Sequence, residues 1–332
     1  MNILKKQNSF IIALICSLAF FVVYLILAKL GLIITLEPNL SIGDVSRWCE
    51  RVSPSIFREP INAFSNVGFM ITGLIMFWIL SKEDNNRAQL NNFTGLTNIS
   101  ILYASVVIFL GPGSFLMHGT HSYWGQWIDN VSMVTYIILP WLYNLKDLGR
   151  WSSKRFFTTY VLIVFLFSLL SWFFGTNMGI NLDLFGVSIA LWIISEFLYK
   201  FWGKINKWYS GFIGFFVAAI FGIFPISGDI DFKGGIFSVY VVADIASYWW
   251  IILFWLPALL SNNPPAKFRA YNPWFFLGMI SYIVAFIIWL QGYPDTRFCD
   301  PDSIIQPHGI WHLITAFATW CFFKFYRTER AI

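Results

Sequence analysis

Charged residues are scarce in this 332-residue chain, at 12% against about 25% in an average soluble domain. Hydrophobic residues make up 58% of the chain and aromatic residues 20%. So few charges cannot cover a water-exposed surface, which excludes an ordinary soluble domain and makes lipid the solvent. The net charge of +5 is spread over short connections, so it does not indicate a nucleic-acid partner.

Cysteine and histidine are also rare, with four residues of each type. Four cysteines are too few for a disulfide scaffold. The sequence shows no internal repeat and no linker long enough to separate domains. We therefore predict a single integral membrane domain over residues 1–332.

Apolar runs of bilayer length recur about ten times, which predicts an all-α, polytopic transmembrane helix bundle. The first run follows Lys5 and Lys6, so a signal peptide is the alternative to an additional N-terminal helix within residues 1–36. Its length favours a retained helix. The runs are Phe10–Leu36, Ile61–Leu80, Thr97–Met117, Gln126–Leu145, Phe156–Phe174, Leu182–Tyr199, Tyr209–Ile226, Ile236–Leu260, Asn272–Leu290 and Pro307–Phe325.

Lysine and arginine concentrate in alternate connections, which predicts that both termini are cytoplasmic. The connection from Pro38 to Pro60 is an exception, because it carries three arginines on the outer side. The basic connections hold Lys5, Lys6, Lys82, Arg87, Lys146, Arg150, Lys154, Arg155, Lys200, Lys204, Lys207, Lys267, Arg269, Lys324, Arg327 and Arg330. The other connections include Asp229, Asp231, Asp295, Asp300 and Asp302.

The four histidines lie at the outer ends of two apolar runs. His118 and His121 end the third run, and His308 and His312 open the last. Residues four apart lie on one helix face, so His308 and His312 can bind one metal ion, with His118 as a third ligand. Three nitrogens and a water form a catalytic zinc site. Interface histidines without a metal are the alternative.

Two further polar residues lie at the same predicted depth. Asp129 is eleven residues after His118, inside the fourth run. A buried acid there costs roughly 2.5–3.5 kcal/mol and needs a partner. Ser114 precedes His118 by one helical turn. Together with the histidines, these residues predict a metal site with adjacent acid–base groups.

Three blocks of this sequence resemble the alkaline ceramidases. Residues 113–133 (GSFLMHGT, then GQWIDNVSM) resemble the second and third core helices of that family, and residues 299–316 (CD, then QPHGIWHLITA) its last helix. Residues 48–66 (WCE, then EPINAFSN) resemble its first core helix. The wider superfamily includes adiponectin-type receptors and glycolipid-anchor-remodelling lipases. The resemblance implies a seven-helix core within residues 48–326, with extra helices.

The resemblance also implies roles for individual residues. His118, His308 and His312 would bind zinc. Ser114 would form a hydrogen bond near the metal, and Asp129 would act as general base and then protonate the leaving amine.

A calcium site is a further implication. Glu50 and Glu59 match the acid-rich calcium motif of the family. Arg47, however, stands where an acid is expected, and Val52 where a polar ligand is expected. Calcium takes six to eight oxygen ligands. Pairing of the two glutamates with neighbouring arginines on a wet surface is the alternative.

Several remaining polar residues need an explanation. The family motif leaves the position of His121 free, which favours an interface or supporting role over metal ligation. Asn62, Ser65 and Asn66 are expected to stabilise helix contacts or frame the site. Asp244 lies in an apolar run and needs a polar partner.

A disulfide is implied by the resemblance as well. A family disulfide joins regions comparable to those of Cys49 and Cys299, and an oxidising outer compartment permits it. Two free thiols are the alternative.

The activity implied is that of a zinc-dependent membrane amidohydrolase. It would cleave the N-acyl bond of ceramide-like lipids, releasing a fatty acid and a long-chain base. A related lipid esterase or phospholipase, or a receptor with structural zinc, are the alternatives. The short loops suggest a bacterial inner membrane, with the site at the outer face, and an endoplasmic reticulum or Golgi membrane is the alternative.

Overall fold

The computed structural model describes residues 3–33, 36–37, 39–83, 91–220 and 248–331. Helices form nearly all of the regular structure in these ranges, which confirms the predicted all-α class. Two short strands, β1 (Lys267–Phe268) and β2 (Arg330–Ala331), pair antiparallel. The helices are α1 (Ile3–Lys29), α2 (Pro60–Ser65), α3 (Val67–Lys82), α4 (Asn98–Thr120), α5 (Tyr123–Leu148), α6 (Ser153–Phe174), α7 (Leu184–Phe201), α8 (Ser210–Ile220), α9 (Leu256–Leu260), α10 (Trp274–Leu290) and α11 (Pro307–Tyr326), with 3-10 turns at Lys207–Tyr209 and Trp249–Trp255.

Five helical segments in the described ranges are long and apolar enough to cross a membrane. Large apolar side chains face outward from them. On α1, for example, Ile12 is 59% exposed and Ile15 is 58% exposed. Leaving such surface in water is unfavourable by about 25 cal/mol per Å², so the chain is a membrane-embedded helix bundle. The segments are Asn8–Lys29, Pro60–Lys82, Asn98–Thr120, Ser153–Phe174 and Leu184–Phe201.

Each predicted apolar run coincides with helix over most of its described length, although α1 ends at Lys29, before the predicted end of the first run. The run that begins at Tyr209 and the next one both extend into residues 221–247, which lie outside the described residues. Asp229, Asp231 and Asp244 lie in this range. The number of spans, about ten from the hydropathy pattern, and the partner of Asp244 therefore stay predictions.

The chain divides into two compact units, one formed by Met1–Ser132 with Lys267–Ile332 and the other by Met133–Ala266. All predicted site residues belong to the first unit. Within the second unit, Asn144 Nδ2 donates hydrogen bonds to Ser195 Oγ at 3.0 Å and to Glu196 Oε2 at 2.8 Å. This acid thus has the polar partner that burial among apolar helices requires.

A glycine brings α4 and the start of α5 into close contact. A Cβ atom on Gly113 would lie 2.5 Å from the side chain of Ser132 on α5. Small residues allow this approach of two membrane helices. Because Ser114 follows this glycine and Asp129 precedes Ser132 by one turn, the close packing brings these two polar side chains together.

Helix α1 is anchored to the same unit by Tyr24. The Tyr24 hydroxyl lies 2.7 Å from the carbonyl oxygen of Ile56 and 3.0 Å from that of Gly119. The Tyr24 ring packs edge-on against Phe115 on α4, with ring centroids 5.1 Å apart. The N-terminal helix therefore contacts the segments on either side of the predicted site.

A disulfide joins the loop before α2 to the loop before α11. Cys49 and Cys299 are bonded, with their Cα atoms 5.5 Å apart, which confirms the predicted pair. Next to this bond, Arg51 forms a two-pronged ion pair with Asp302, with N–O distances of 2.7 and 2.8 Å. These links hold the first and last core segments together at one end of the unit.

Denatured but unreduced protein is expected to take up two alkyl groups, at Cys16 and Cys321, and to take up four after reduction. Replacement of Cys49 by serine should lower stability by about 2–4 kcal/mol, because the bond no longer restricts the unfolded chain. Intact mass and thermal unfolding measure the two effects, with Cys16→Ser as the control. Uptake of four groups without reduction would contradict the bond.

Candidate metal centre

Two helix ends carry the histidines. His118 lies in the last turn of α4, and His121, which caps the C-terminus of this helix, adopts the left-handed conformation with φ of 50°. Pro307 occupies the first turn of α11, where a missing N–H costs nothing. His308 and His312 follow it and occupy one face of this helix, as their spacing predicts.

The three histidine rings converge in the interior of the first unit. Nitrogens of His118, His308 and His312 all lie within 4.8 Å of one another. The Nε2 atoms of His118 and His308 are 3.1 Å apart. The rings are 1%, 5% and 3% exposed, respectively. The predicted group is thus confirmed as a buried cluster that can hold one metal ion.

A serine on α2 fixes the tautomer of His312. Ser65 Oγ donates its single proton to the carbonyl oxygen of Asn62 at 2.7 Å. Ser65 Oγ also lies 2.7 Å from Nδ1 of His312. Because its proton is already donated, Ser65 Oγ can only accept a hydrogen bond from Nδ1. Nδ1 then carries the ring hydrogen, which leaves a lone pair on Nε2.

A carboxylate fixes the orientation of His118 in the same way. Glu59 Oε2 is hydrogen-bonded to Nδ1 of His118. An ionised carboxylate only accepts hydrogen bonds, so Nδ1 donates, and Nε2 of the neutral ring is left as a lone pair. This carboxylate–histidine arrangement is typical of metal ligands, whose other nitrogen is held by a hydrogen-bond acceptor.

The donor set fits zinc. Lone pairs that face one another in a buried space repel unless a cation lies between them. A zinc ion binds imidazole nitrogens at about 2.0–2.1 Å, which in a tetrahedral site separates them by about 3.4 Å. The 3.1 Å between the Nε2 atoms of His118 and His308 is close to that separation. Three protein ligands leave the fourth position for water or substrate.

Ser114 and Asp129 lie beside the cluster. Ser114 is 7% exposed, and its hydroxyl lies 3.4 Å from Nε2 of His312. It is also hydrogen-bonded to the carboxyl of Asp129. The other oxygen of that carboxyl, Oδ1, is buried and accepts no hydrogen bond from any described residue. The structure thus brings together all five residues predicted for the site.

Glu50 and Glu59 have partners other than the expected arginines. Glu50 accepts hydrogen bonds from the backbone N–H groups of Ile61 and Asn62, both at 2.7 Å, and so caps α2. Burial raises the pKa of Glu50 to about 7, although these two N–H groups oppose the shift. Both glutamates are buried, at 4% and 0% exposure, so the alternative to calcium, pairing with arginines on a wet surface, is wrong. Calcium binding by these residues stays a prediction.

Glu59 links two histidines. Its Oε1 atom lies 2.8 Å from Nε2 of His121, while its Oε2 atom contacts His118. Burial alone would raise the pKa of Glu59, but the two imidazoles hold it well below its usual range. His121 therefore supports a carboxylate that orients His118, and it lies outside the metal cluster. This agrees with the supporting role that the sequence favours.

Replacement of Glu59 by glutamine is expected to weaken zinc affinity by about 10–100-fold, because an uncharged amide cannot orient both imidazoles. Competition with a coloured chelator measures this constant. Glu83→Gln is the matched control, since Glu83 pairs with Arg327 instead. Equal affinities for both variants and the wild type would show that Glu59 does not support the ligand.

Comparison with known proteins gives a match to a protein family. A sequence profile for the family described as Ceramidase matches residues 45–332. No curated protein matches the chain. The matched range contains the three histidines, Ser114 and Asp129, and it begins after α1.

Proposed function

Because the chain belongs to the ceramidase family, we propose that it is a zinc-dependent membrane amidohydrolase. Its reaction would be hydrolysis of the N-acyl amide bond of ceramide-like lipids to a fatty acid and a long-chain base. The observation that carries this proposal is the convergence of three buried imidazole nitrogens beside Ser114 and Asp129. The same observation supports zinc as the metal.

In this proposal His118, His308 and His312 hold the metal through Nε2. Zinc bound there supplies a Lewis acid that polarises a carbonyl and lowers the pKa of water to about 7. Glu59 and Ser65 keep two of the rings in the required tautomer, since each engages an Nδ1 atom. Two of the three ligands are thus oriented before any substrate arrives.

Asp129 would move the proton. Its unpartnered Oδ1 atom can accept a proton from the attacking water. The same atom would then donate that proton to the nitrogen of the leaving amine. Once Asp129 carries the proton, the single hydrogen of Ser114 Oγ would turn from that carboxyl to the carbonyl oxygen, on which negative charge develops. The products are a carboxylic acid and a free amine.

The position of the histidine cluster in the first unit bears on how a lipid would reach it and on which side of the membrane it faces. The cluster lies at helix ends, where an amide at headgroup depth would meet it while its two chains stay among apolar helices. The disulfide lies at this end, since Cys49 adjoins Trp48, whose ring stacks on His308. Disulfides persist in oxidising compartments. We propose that the site faces the outer side of a bacterial inner membrane and that both termini are cytoplasmic, and the disulfide supports the oxidising outer side.

Calcium is not part of the proposed mechanism. The carboxylate oxygens of Glu50 and Glu59 already accept hydrogen bonds from backbone or imidazole N–H groups. Arg47 and Val52 add no oxygen ligands nearby. A stoichiometric zinc requirement with no response to calcium is the expected cofactor profile.

The test uses the full chain in detergent, with zinc content and lipid products measured on one sample. About one zinc per chain, with release of long-chain base and fatty acid from ceramide, is the expected result. Phosphatidylcholine serves as the ester comparison. Release of fatty acid from the ester alone would replace this proposal with an esterase. Zinc without turnover of either lipid would leave the receptor alternative.

A further inference from the structure

One cation beside the metal cluster has no acidic partner among the described residues. Arg47 is exposed, and its guanidinium carbon lies 4.9 Å from the centre of the Trp48 ring. Its Nη2 atom lies 3.8 Å from the sulfur of Met117. Trp48 in turn stacks on His308 at 4.3 Å, and Met117 precedes His118. Arg47 is therefore held next to two of the three histidines.

The neighbouring arginines differ from Arg47. Arg51 pairs with Asp302, and Arg58 donates to the backbone carbonyls of Ser53 and Ser55 at 3.0 and 3.2 Å. The only polar atom that Arg47 contacts, within the ranges that the structure describes, is a thioether sulfur, which is a weak acceptor. A guanidinium in this setting retains nearly all of its capacity to bind an anion.

The charge balance around the cluster favours an anion. Arg47 acts electrostatically on Asp129 and His308. It also reaches Tyr293, where burial raises the pKa of the phenol and the arginine opposes that shift. A bound divalent metal would add two positive charges. Of the acids at the cluster, Glu59 is already shared by two histidines, and Glu50 by two backbone N–H groups.

A second hydrogen-bond donor lies next to Arg47. Nε1 of Trp48 is buried and donates to no described residue. Indole and guanidinium groups donate hydrogen bonds and accept none. Arginine also presents its donors in a fork that matches the oxygens of phosphate and related oxyanions. Two adjacent donor-only side chains therefore suit a ligand that supplies several acceptor oxygens.

We propose that Arg47 and Trp48 form an anion-binding subsite, and that the preferred substrate is an N-acyl lipid with a phosphate, sulfate or sulfonate head group. This rests on the proposed amidohydrolase function and adds its substrate class. The anionic group binds and does not react. Water adds across the amide, so that the acyl carbon gains a hydroxyl, the nitrogen gains a hydrogen, and the head group stays on the amine product.

The test compares ceramide 1-phosphate with ceramide of the same acyl chain in neutral phosphatidylcholine nanodiscs. The wild type is expected to show a kcat/KM about 10–100-fold higher for the phosphorylated lipid, as for a hydrogen-bonded charge pair. Arg47→Ala should bring this ratio close to one, and Arg47→Lys should give an intermediate ratio. Arg51→Ala, the matched control from the same loop, should keep the wild-type ratio.

Turnover of ceramide with a wild-type ratio near one, or an unchanged ratio in Arg47→Ala, would overturn the subsite and leave the amidohydrolase in place. A binding arm is independent of turnover. Quenching of tryptophan fluorescence by hexadecyl phosphate, with hexadecanol as the neutral probe, should weaken about 10–100-fold in Arg47→Ala. Inorganic phosphate that competes as strongly as hexadecyl phosphate would overturn the assignment to a lipid head group.

Discussion

Replacement of His308 by alanine is expected to reduce bound zinc from about one ion per chain to less than about a tenth, and to lower amide hydrolysis at least about 1000-fold. The change removes one of three buried nitrogens. The two that remain cannot complete a site in which zinc prefers four ligands. Elemental analysis and product release on the same purified sample measure both losses.

The control for this variant is Leu313→Ala. Leu313 lies on the same helix and is 52% exposed, so its truncation should change neither zinc content nor turnover. Thermal unfolding shows whether each variant is folded. A folded His308→Ala protein that keeps one zinc and full turnover would contradict the metal centre itself.

Replacement of Asp129 by asparagine is expected to lower kcat about 100–10,000-fold while zinc stays bound. The amide has nearly the same shape, and it can hydrogen-bond to Ser114. It cannot take a proton from water at the Oδ1 position, which the structure leaves unpartnered. Single-turnover hydrolysis measures the loss, because it isolates the chemical step from product release.

Two comparisons make the Asp129 result specific. Asp44→Asn, in an exposed turn of the loop before α2, should retain wild-type turnover. Zinc content should equal that of the wild type in both variants, unlike His308→Ala. Full activity in a zinc-loaded Asp129→Asn protein would show that another group moves the proton.

Local periodicity made part of this site predictable. The helical repeat alone predicts that His308 and His312 share one helix face, and the same rule places Ser114 with His118. The apolar runs located most of the described helices to within three residues and α1 to within seven, because a bilayer requires long apolar segments whose backbone is satisfied internally. The disulfide was predictable only through resemblance to a family, since spacing alone does not pair cysteines.

Long-range contacts were not predictable. Glu59 meets a histidine 59 residues away, and Ser65 meets one 247 residues away. The sequence did indicate that Glu59 lies at the N-terminus of a helix, because it directly precedes Pro60 and proline favours the first turn. It did not reveal which charge the acid would meet. The division into two units was hidden too, because apolar helices look alike whichever neighbour they pack against.

The histidines of the cluster are synthesised at different times, which has a consequence for assembly of the site. His118 and His308 are 190 residues apart, so at 5–20 residues per second roughly 10–40 s separate their emergence. Until the final helix is inserted, a nascent or truncated chain has one histidine of the three. Under the proposed function, metal loading could not precede insertion of α11, and a chain that lacks this helix could not hydrolyse the lipids of the membrane that holds it.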